Sequence, residues 1–216
     1  EMVQAAKEHG HEYIAITDHS AYMGITNGLD EKGVEKQIKK IKNLNKKISG
    51  IKILSGIEAD VMEDGSLDLA DETLEQLDVV LCSVHTKLNL PRDKQTERII
   101  KAVSHPQANI LSHPTGRIIN NRKPMNFNLE AVFKAAKKNQ VAVEINAHPS
   151  RLDIKDRQAR QAKEMGVKFV ISTDAHRTEE LKNLQYGIYQ ARRGWLEAED
   201  VINTWKLNNL LKFLKK

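Results

Sequence analysis

The apolar positions of this chain switch period repeatedly. Short β-branched runs such as Ile14-Ala15-Ile16-Thr17, Val79-Val80-Leu81-Cys82-Ser83-Val84 and Phe169-Val170-Ile171-Ser172-Thr173 have the length and composition of buried strands. Between such runs lie stretches with helical spacing, for example Val34, Ile38, Ile41 and Leu44 behind Asp30, a candidate N-cap. The pattern predicts a helix to about residue 9, a strand at 12–17, a helix from 30 to about 48, a strand at 51–58 and a short helix at 71–76. It continues with a strand at 78–84, a helix at 93–103, a strand at 109–112, a helix at 128–139, a strand at 141–146, a helix at 154–165, a strand at 168–173 and two closing helices. Strands that alternate with helices make βαβ units, because parallel neighbours need a crossover. The expectation is an α/β domain with a parallel sheet of six strands.

The residues that close the apolar runs change the picture. Thr17-Asp18-His19 ends the first strand, and Ser172-Thr173-Asp174-Ala175-His176 repeats the design near the other end; the runs at 53–58, 79–85 and 110–113 stop at Glu58, His85 and His113. In a fold of parallel strands these ends share one face, where active sites collect. Ligand types on successive strands favour a barrel or near-barrel, since an open doubly wound sheet gathers its site at one switch point. Imidazole with carboxylate suits zinc, manganese or iron, and a single cysteine argues against a structural zinc clip. A carboxylate such as Glu58 can bridge two cations, which points to a cluster of metals rather than one.

Asp18 is expected to orient a neighbouring ligand rather than bind metal. Glu144 and Asn146, at the end of the strand at 141–146, either hydrogen-bond ligands or substrate or are solvated strand-end groups. Arg117 and Lys87 directly follow ligand strands and are either phosphate clamps or surface charges. Of the eight histidines, His9, His11 and His105 lie at helix ends or turns and read as capping or surface groups, and His148, before a proline, reads mainly the same way.

Composition sets the bounds. A chain of 216 residues with 40% hydrophobic and 29% charged positions fits one α/β domain with a full core. No apolar run approaches the roughly 20 residues needed to span a bilayer, and the first residues carry no signal-peptide pattern, so no membrane partner and a cytoplasmic location are expected. Cys82, inside an apolar run, reads as a buried small hydrophobe, and no disulfide framework exists. A net charge of +5 and a pI near 9.1 favour polyanionic partners. Neither GxGxxG nor GxxxxGK[ST] occurs, which argues against a glycine-loop nucleotide cradle. The opening residues already lie in a helical pattern, so the chain is expected to be a fragment of something longer.

The motifs Thr17-Asp18-His19, Gly56-Ile57-Glu58, Ser83-Val84-His85, Ser112-His113-Pro114 and Thr173-Asp174-Ala175-His176 resemble those of the PHP (polymerase and histidinol phosphatase) superfamily across essentially the whole chain. Asn27-Gly28-Leu29-Asp30, His85-Thr86-Lys87-Leu88-Asn89-Leu90, His113-Pro114-Thr115-Gly116-Arg117 and Glu144-Ile145-Asn146 are similar to the carboxy-terminal PHP domain of bacterial and archaeal family X DNA polymerases. The resemblance implies a distorted, TIM-barrel-like (β/α)7 barrel over residues 1–216, with two or three Zn or Mn ions in a complete domain. It implies His19, Glu58, His85, His113, Asp174 and His176 as metal ligands, with Glu58 also catalytic as the bridge, and Arg117 or Lys87 offsetting negative charge. It implies phosphoester hydrolysis, in the polymerases a 3′–5′ exonuclease acting on DNA 3′ ends beside an upstream polymerase domain. The family opens with an H-x-H motif on its first strand; this chain begins after that point, so one strand and part of the ligand set are expected to be absent, with fewer ions and weak or no turnover. Two other readings stay open: a histidinol-phosphatase-like phosphomonoesterase, and a non-catalytic module that stabilises a polymerase or holds DNA.

Overall fold

The strand runs enter one parallel sheet whose spatial order is the chain order. In the structure, a computed structural model that describes residues 1–22 and 27–215, the strands are β1 (Tyr13–His19), β2 (Lys52–Asp60), β3 (Val79–Ser83), β4 (Ile110–Leu111), β5 (Ala142–Asn146) and β6 (Phe169–Ser172). The helices are α1 (Met2–Glu8), α2 (Glu31–Lys47), α3 (Asp71–Leu74), α4 (Arg92–Val103), α5 (Leu129–Lys138), α6 (Asp156–Glu164), α7 (Leu184–Arg193) and α8 (Leu207–Leu214). Each strand pairs in parallel with the next. Because every step in the sheet is made by a crossover to the adjacent position, the sheet curls one way into a half-barrel clothed by helices.

Alternation at period two sorts the core into two layers. Val79 and Leu81 of β3 join Leu54, Ile110, Ala142 and Val170 in an inner layer. Their neighbours Val80 and Cys82 pack outward with Ile99, Ala102 and Val103 of α4. Cys82 is fully buried there, its Sγ 3.9 Å from the Ala102 carbonyl. The inner layer is closed at one end by Ile202, Leu210 and Leu214, each such burial contributing about 1.5–3 kcal/mol. Asn109 fixes this plug: its Nδ2 donates to the Leu214 carbonyl at 2.8 Å while its Oδ1 accepts from the Val80 N–H at 2.8 Å. Apolar side chains thus gather at this end, and polar groups are left to the C-terminal ends of the strands.

Local chemistry explains where elements stop. Asp30 caps α2, its Oδ1 accepting from the Gly33 N–H at 2.8 Å, and Val34, Ile38 and Ile41 bury one face, as their spacing predicts. A side chain at Gly28 would place its Cβ 1.9 Å from the Ser20 carbonyl oxygen, so glycine lets residues 27–29 lie flush on the end of β1. The helix expected from residue 154 begins at Asp156 instead. Asp153 is fully buried and accepts from the N–H groups of Thr115 and Gly116 and from Thr115 Oγ1, which pins residues 153–154 as loop. The strand expected at 109–112 contracts to Ile110–Leu111. Strands β1 and β2 run to His19 and Asp60, two residues beyond expectation, which carries the ladder through the ligand positions.

Arg98 on α4 is 2% exposed. It donates from Nε to the Met62 carbonyl at 2.7 Å, from Nη1 to the Thr86 carbonyl at 2.9 Å, and from Nη2 to the Val61 carbonyl. This clamp ties the segment after β2 to the loop after β3, the loop that carries His85.

Candidate metal centre

Register builds the cluster. Across the β1–β2 ladder His19 stands directly opposite Glu58, and Glu58 in turn pairs with Leu81 of β3. His85 and His113 each follow their strand by two residues. Glu58 is 6% exposed, and three imidazoles from three other strands converge on its carboxylate. His113 Nε2 lies 3.0 Å and His85 Nε2 3.3 Å from Oε1, and His19 Nδ1 lies 3.4 Å from Oε2. Ser83 Oγ donates to Oε1 at 2.6 Å. The His85 ring centroid is 5.3 Å from that of His19 and 5.1 Å from that of His113.

The donor set fits a divalent cation. Ligand atoms of His19, Glu58 and His85 all lie within 4.8 Å of one another. His19 Nδ1, close to Glu58 but without hydrogen-bond geometry, and His113 Nδ1 are buried polar atoms with no hydrogen-bond partner among the described residues. Buried orphan nitrogens are costly, and imidazole nitrogens beside a carboxylate are the chemistry that zinc or manganese satisfies.

The electrostatics agree. Burial pushes the Glu58 carboxyl up, but hydrogen bonds from His113 and His85 and their charges outweigh it, holding the group well below the usual carboxylate range. Burial pulls His85 down, yet Asp60 and Glu58 together raise it to about 9. Asp60 Oδ1 sits 2.7 Å from His85 Nδ1, fixing the ring so that Nε2 faces Glu58.

A second group stands beside the first. The Asp174 carboxylate receives Asn146 Nδ2 at 3.2 Å and Arg151 Nε at 3.4 Å. His176 is the exposed member: its ring lies 6.1 Å from that of His19, and its Nδ1 lies 2.9 Å from the Asp174 carbonyl. Glu144 joins the two groups. Its carboxylate accepts from Ser112 Oγ at 3.0 Å, Asn146 Nδ2 at 3.2 Å, Ser172 Oγ and the His113 N–H. Burial pushes Glu144 above its ordinary value. His113 holds φ +25°, a left-handed backbone that its bond to Glu144 sustains. A cavity of about 890 Å³ runs along β1 and β6, with His19, Glu58, Glu144, Asp174 and His176 at one end and Tyr13, Ile202, Leu210 and Leu214 at the other.

Three expected site residues have their partners outside the cluster around Glu58. Asp18 alternates with His19 along β1, and its Oδ2 accepts from Gln37 Nε2 of α2 at 2.8 Å. Arg117 is committed to the loop at 151–152, donating from Nε to the Arg151 carbonyl at 2.8 Å and from Nη2 to the Leu152 carbonyl. Lys87 lies at the surface, 3.9 Å from Glu63 with its side chain 63% exposed. Both sit in loops, where strand register says nothing about direction. Among the histidines read as bland, His105 pairs with Asp71 at 3.1 Å and His148 with Ser150 at 2.8 Å.

Sequence reasoning missed Asp60, Ser83, Ser112, Ser172 and Arg151. Asp60 had a signal, since it follows Glu58 by two positions and so shares its face. Arg151 had none, lying in an irregular loop after Asn146.

An inward-curled parallel sheet with imidazole and carboxylate at its strand ends defines a metal-dependent hydrolase of α/β barrel architecture. The chain belongs to the PHP domain family, whose profile matches residues 1–148; its relatives are named as phosphoester-cleaving enzymes. It is 38% identical over 216 residues to the DNA polymerase/3′-5′ exonuclease PolX of Bacillus subtilis (strain 168), covering all of this chain and 38% of that protein. The chain therefore spans well under half the length of that relative. It is 30% identical over 226 residues to a probable phosphatase of Thermoanaerobacter sp. (strain X514), covering all of this chain and 87% of that protein. Its fold is similar to the crystal structure of histidinol phosphate phosphatase from Lactococcus lactis complexed with Zn, L-histidinol and phosphate, with a TM-score of 0.65 and 18% identity over 91% of this chain and 87% of that one.

Proposed function

We propose that this chain is a metal-dependent phosphodiesterase of 3′–5′ exonuclease type, the PHP unit of a family X DNA polymerase, acting on DNA 3′ ends. The observation that carries the reading is Glu58, a buried carboxylate whose two oxygens are divided between His19 on one side and His85 and His113 on the other. Identity of 38% to the Bacillus polymerase along the entire chain supports the polymerase context, and the net charge of +5 suits a polyanionic substrate.

In this reading His19, Glu58, His85 and His113 hold one part of a two- or three-ion Zn or Mn cluster, and Asp174 and His176 another. A divalent cation held there supplies Lewis acidity toward phosphoryl oxygens and lowers the pKa of adjacent water. The residues do the positioning. Asp60 orients His85, Ser83 fixes Glu58, and Glu144 with Asn146 holds His113 and Asp174 in register.

The phosphatase relatives and the fold of histidinol phosphate phosphatase favour a second reading, a phosphomonoesterase on a small substrate. One comparison separates them. With Mn²⁺ present, a 3′-labelled oligonucleotide is degraded faster than histidinol phosphate or p-nitrophenyl phosphate if the first reading holds. Turnover confined to the small phosphomonoesters establishes the second.

A further inference from the structure

Three arginines lie in the loops after β4 and β5, and one of them, Arg151, reaches the Asp174 carboxylate. Arg117 spends its Nε on the Arg151 carbonyl at 2.8 Å, and Arg122 spends its own on the Gly116 carbonyl at 2.7 Å. Arg151 differs. Its side chain is 18% exposed, its Nε faces Asp174 at 3.4 Å, and its Nη1 is buried with no partner among the described residues. A distance of 3.4 Å is longer than the roughly 2.7–2.9 Å of a tight charge-assisted bond. A part-buried guanidinium that makes one loose contact and leaves a buried N–H unmet is poorly explained as a fastener.

We propose that Arg151 is a phosphate-positioning residue, whose guanidinium takes non-bridging oxygens of the phosphoryl group, and this rests on the function proposed above. Two features prepare it. Arg117 grips the carbonyls of Arg151 and Leu152, so the backbone that carries Arg151 is held in place before any anion arrives. Asp174, the one carboxylate paired with it, is also a candidate cation ligand. With a cation sharing the charge of Asp174, the guanidinium keeps its own for a second anion. A planar fork suits two oxygens of one tetrahedral group, which an ammonium does not match.

The test compares the manganese-loaded protein with Arg151→Met and Arg151→Lys. The readouts are inorganic phosphate binding by calorimetry, KM and kcat on a labelled oligonucleotide, metal content and melting temperature. Arg151→Met is expected to weaken phosphate binding and raise KM by about tenfold or more, with metal content and melting temperature held, and Arg151→Lys to recover part of the loss. Where Arg151→Met loses metal or melts early, Arg151→Lys decides, because it keeps a charge opposite Asp174 and removes only the fork. A weakened phosphate constant there supports the inference, and an unchanged one overturns it. Wild-type protein that binds phosphate and cleaves DNA while both variants match it removes this inference alone. Wild-type protein that binds no phosphate and turns over no phosphoester removes the proposed function as well.

Discussion

Asp60 Oδ1 lies 2.7 Å from His85 Nδ1 while the opposite ring nitrogen of His85 lies 3.3 Å from Glu58 Oε1, so one imidazole is held between two carboxylates. Asp60 is 1% exposed, and it fixes which nitrogen of His85 points at the cluster. Asp60→Asn keeps the shape and removes the charge. Metal affinity is expected to fall by about 10–100-fold, read by competition with a chromophoric chelator. Unaltered affinity would show that Asp60 does not orient a ligand.

Glu58→Gln is expected to abolish hydrolysis, because a neutral amide is a poor partner for cations and cannot serve His19, His85 and His113 together. His105→Ala is the control. His105 pairs with Asp71 away from the cluster, and its loss is expected to leave the rate within about threefold. Equal losses in steady-state assays of both variants would undo the site.

The metal-free protein should have a defined pH window. His85 is raised from 6.5 to about 9 by Asp60 and Glu58 against the opposing effect of burial, so its contribution is complete below pH 6.5 and is lost as pH rises through about 9. Glu58 is held well below 4.5 by His113 and His85 against its own burial, so its contribution is complete above pH 4.5 and is lost as pH falls toward its folded value. Thermal melts of chelator-treated protein are expected to peak between pH 4.5 and 6.5. Metal binding competes with the His85 proton and should tighten toward pH 9. A melting temperature that climbs steadily from pH 6.5 to 9 would contradict the expected window.

Arg98→Met removes the donors to Val61, Met62 and Thr86 and leaves their carbonyls in a buried place. The expected loss is about 3 kcal/mol or more, at roughly 1–3 kcal/mol per unmet group. Urea denaturation checks it, and a change under about 1 kcal/mol would mean that water replaces the guanidinium.

Strand order and the cluster around Glu58 were legible because both depend on regular geometry. A β-branched run that ends in a ligand type reads from sequence alone, and sheet register then places His19 opposite Glu58. The same regularity bears on Asp18: adjacent strand residues face opposite ways, and Asp18 meets Gln37 of α2. Arg117, Lys87 and Arg151 were not legible in this way. Their directions are set by loop carbonyls and by Asp174, contacts between residues far apart in the chain that no local period encodes. The late start of α6 has the same origin, since Asp153 is captured by Thr115 from another loop.

The sheet takes its strands in chain order and draws one ligand candidate from each of four, His19, Glu58, His85 and His113. A half-folded chain therefore owns scattered imidazoles and no cluster. Cation uptake becomes a report on assembly, because binding to the finished sheet and hardly at all to the open chain stabilises the protein in proportion to the logarithm of ion concentration over dissociation constant. A chain able to cut phosphoesters would thus stay chemically silent during its own synthesis and gain that ability only when β1 to β4 are in register.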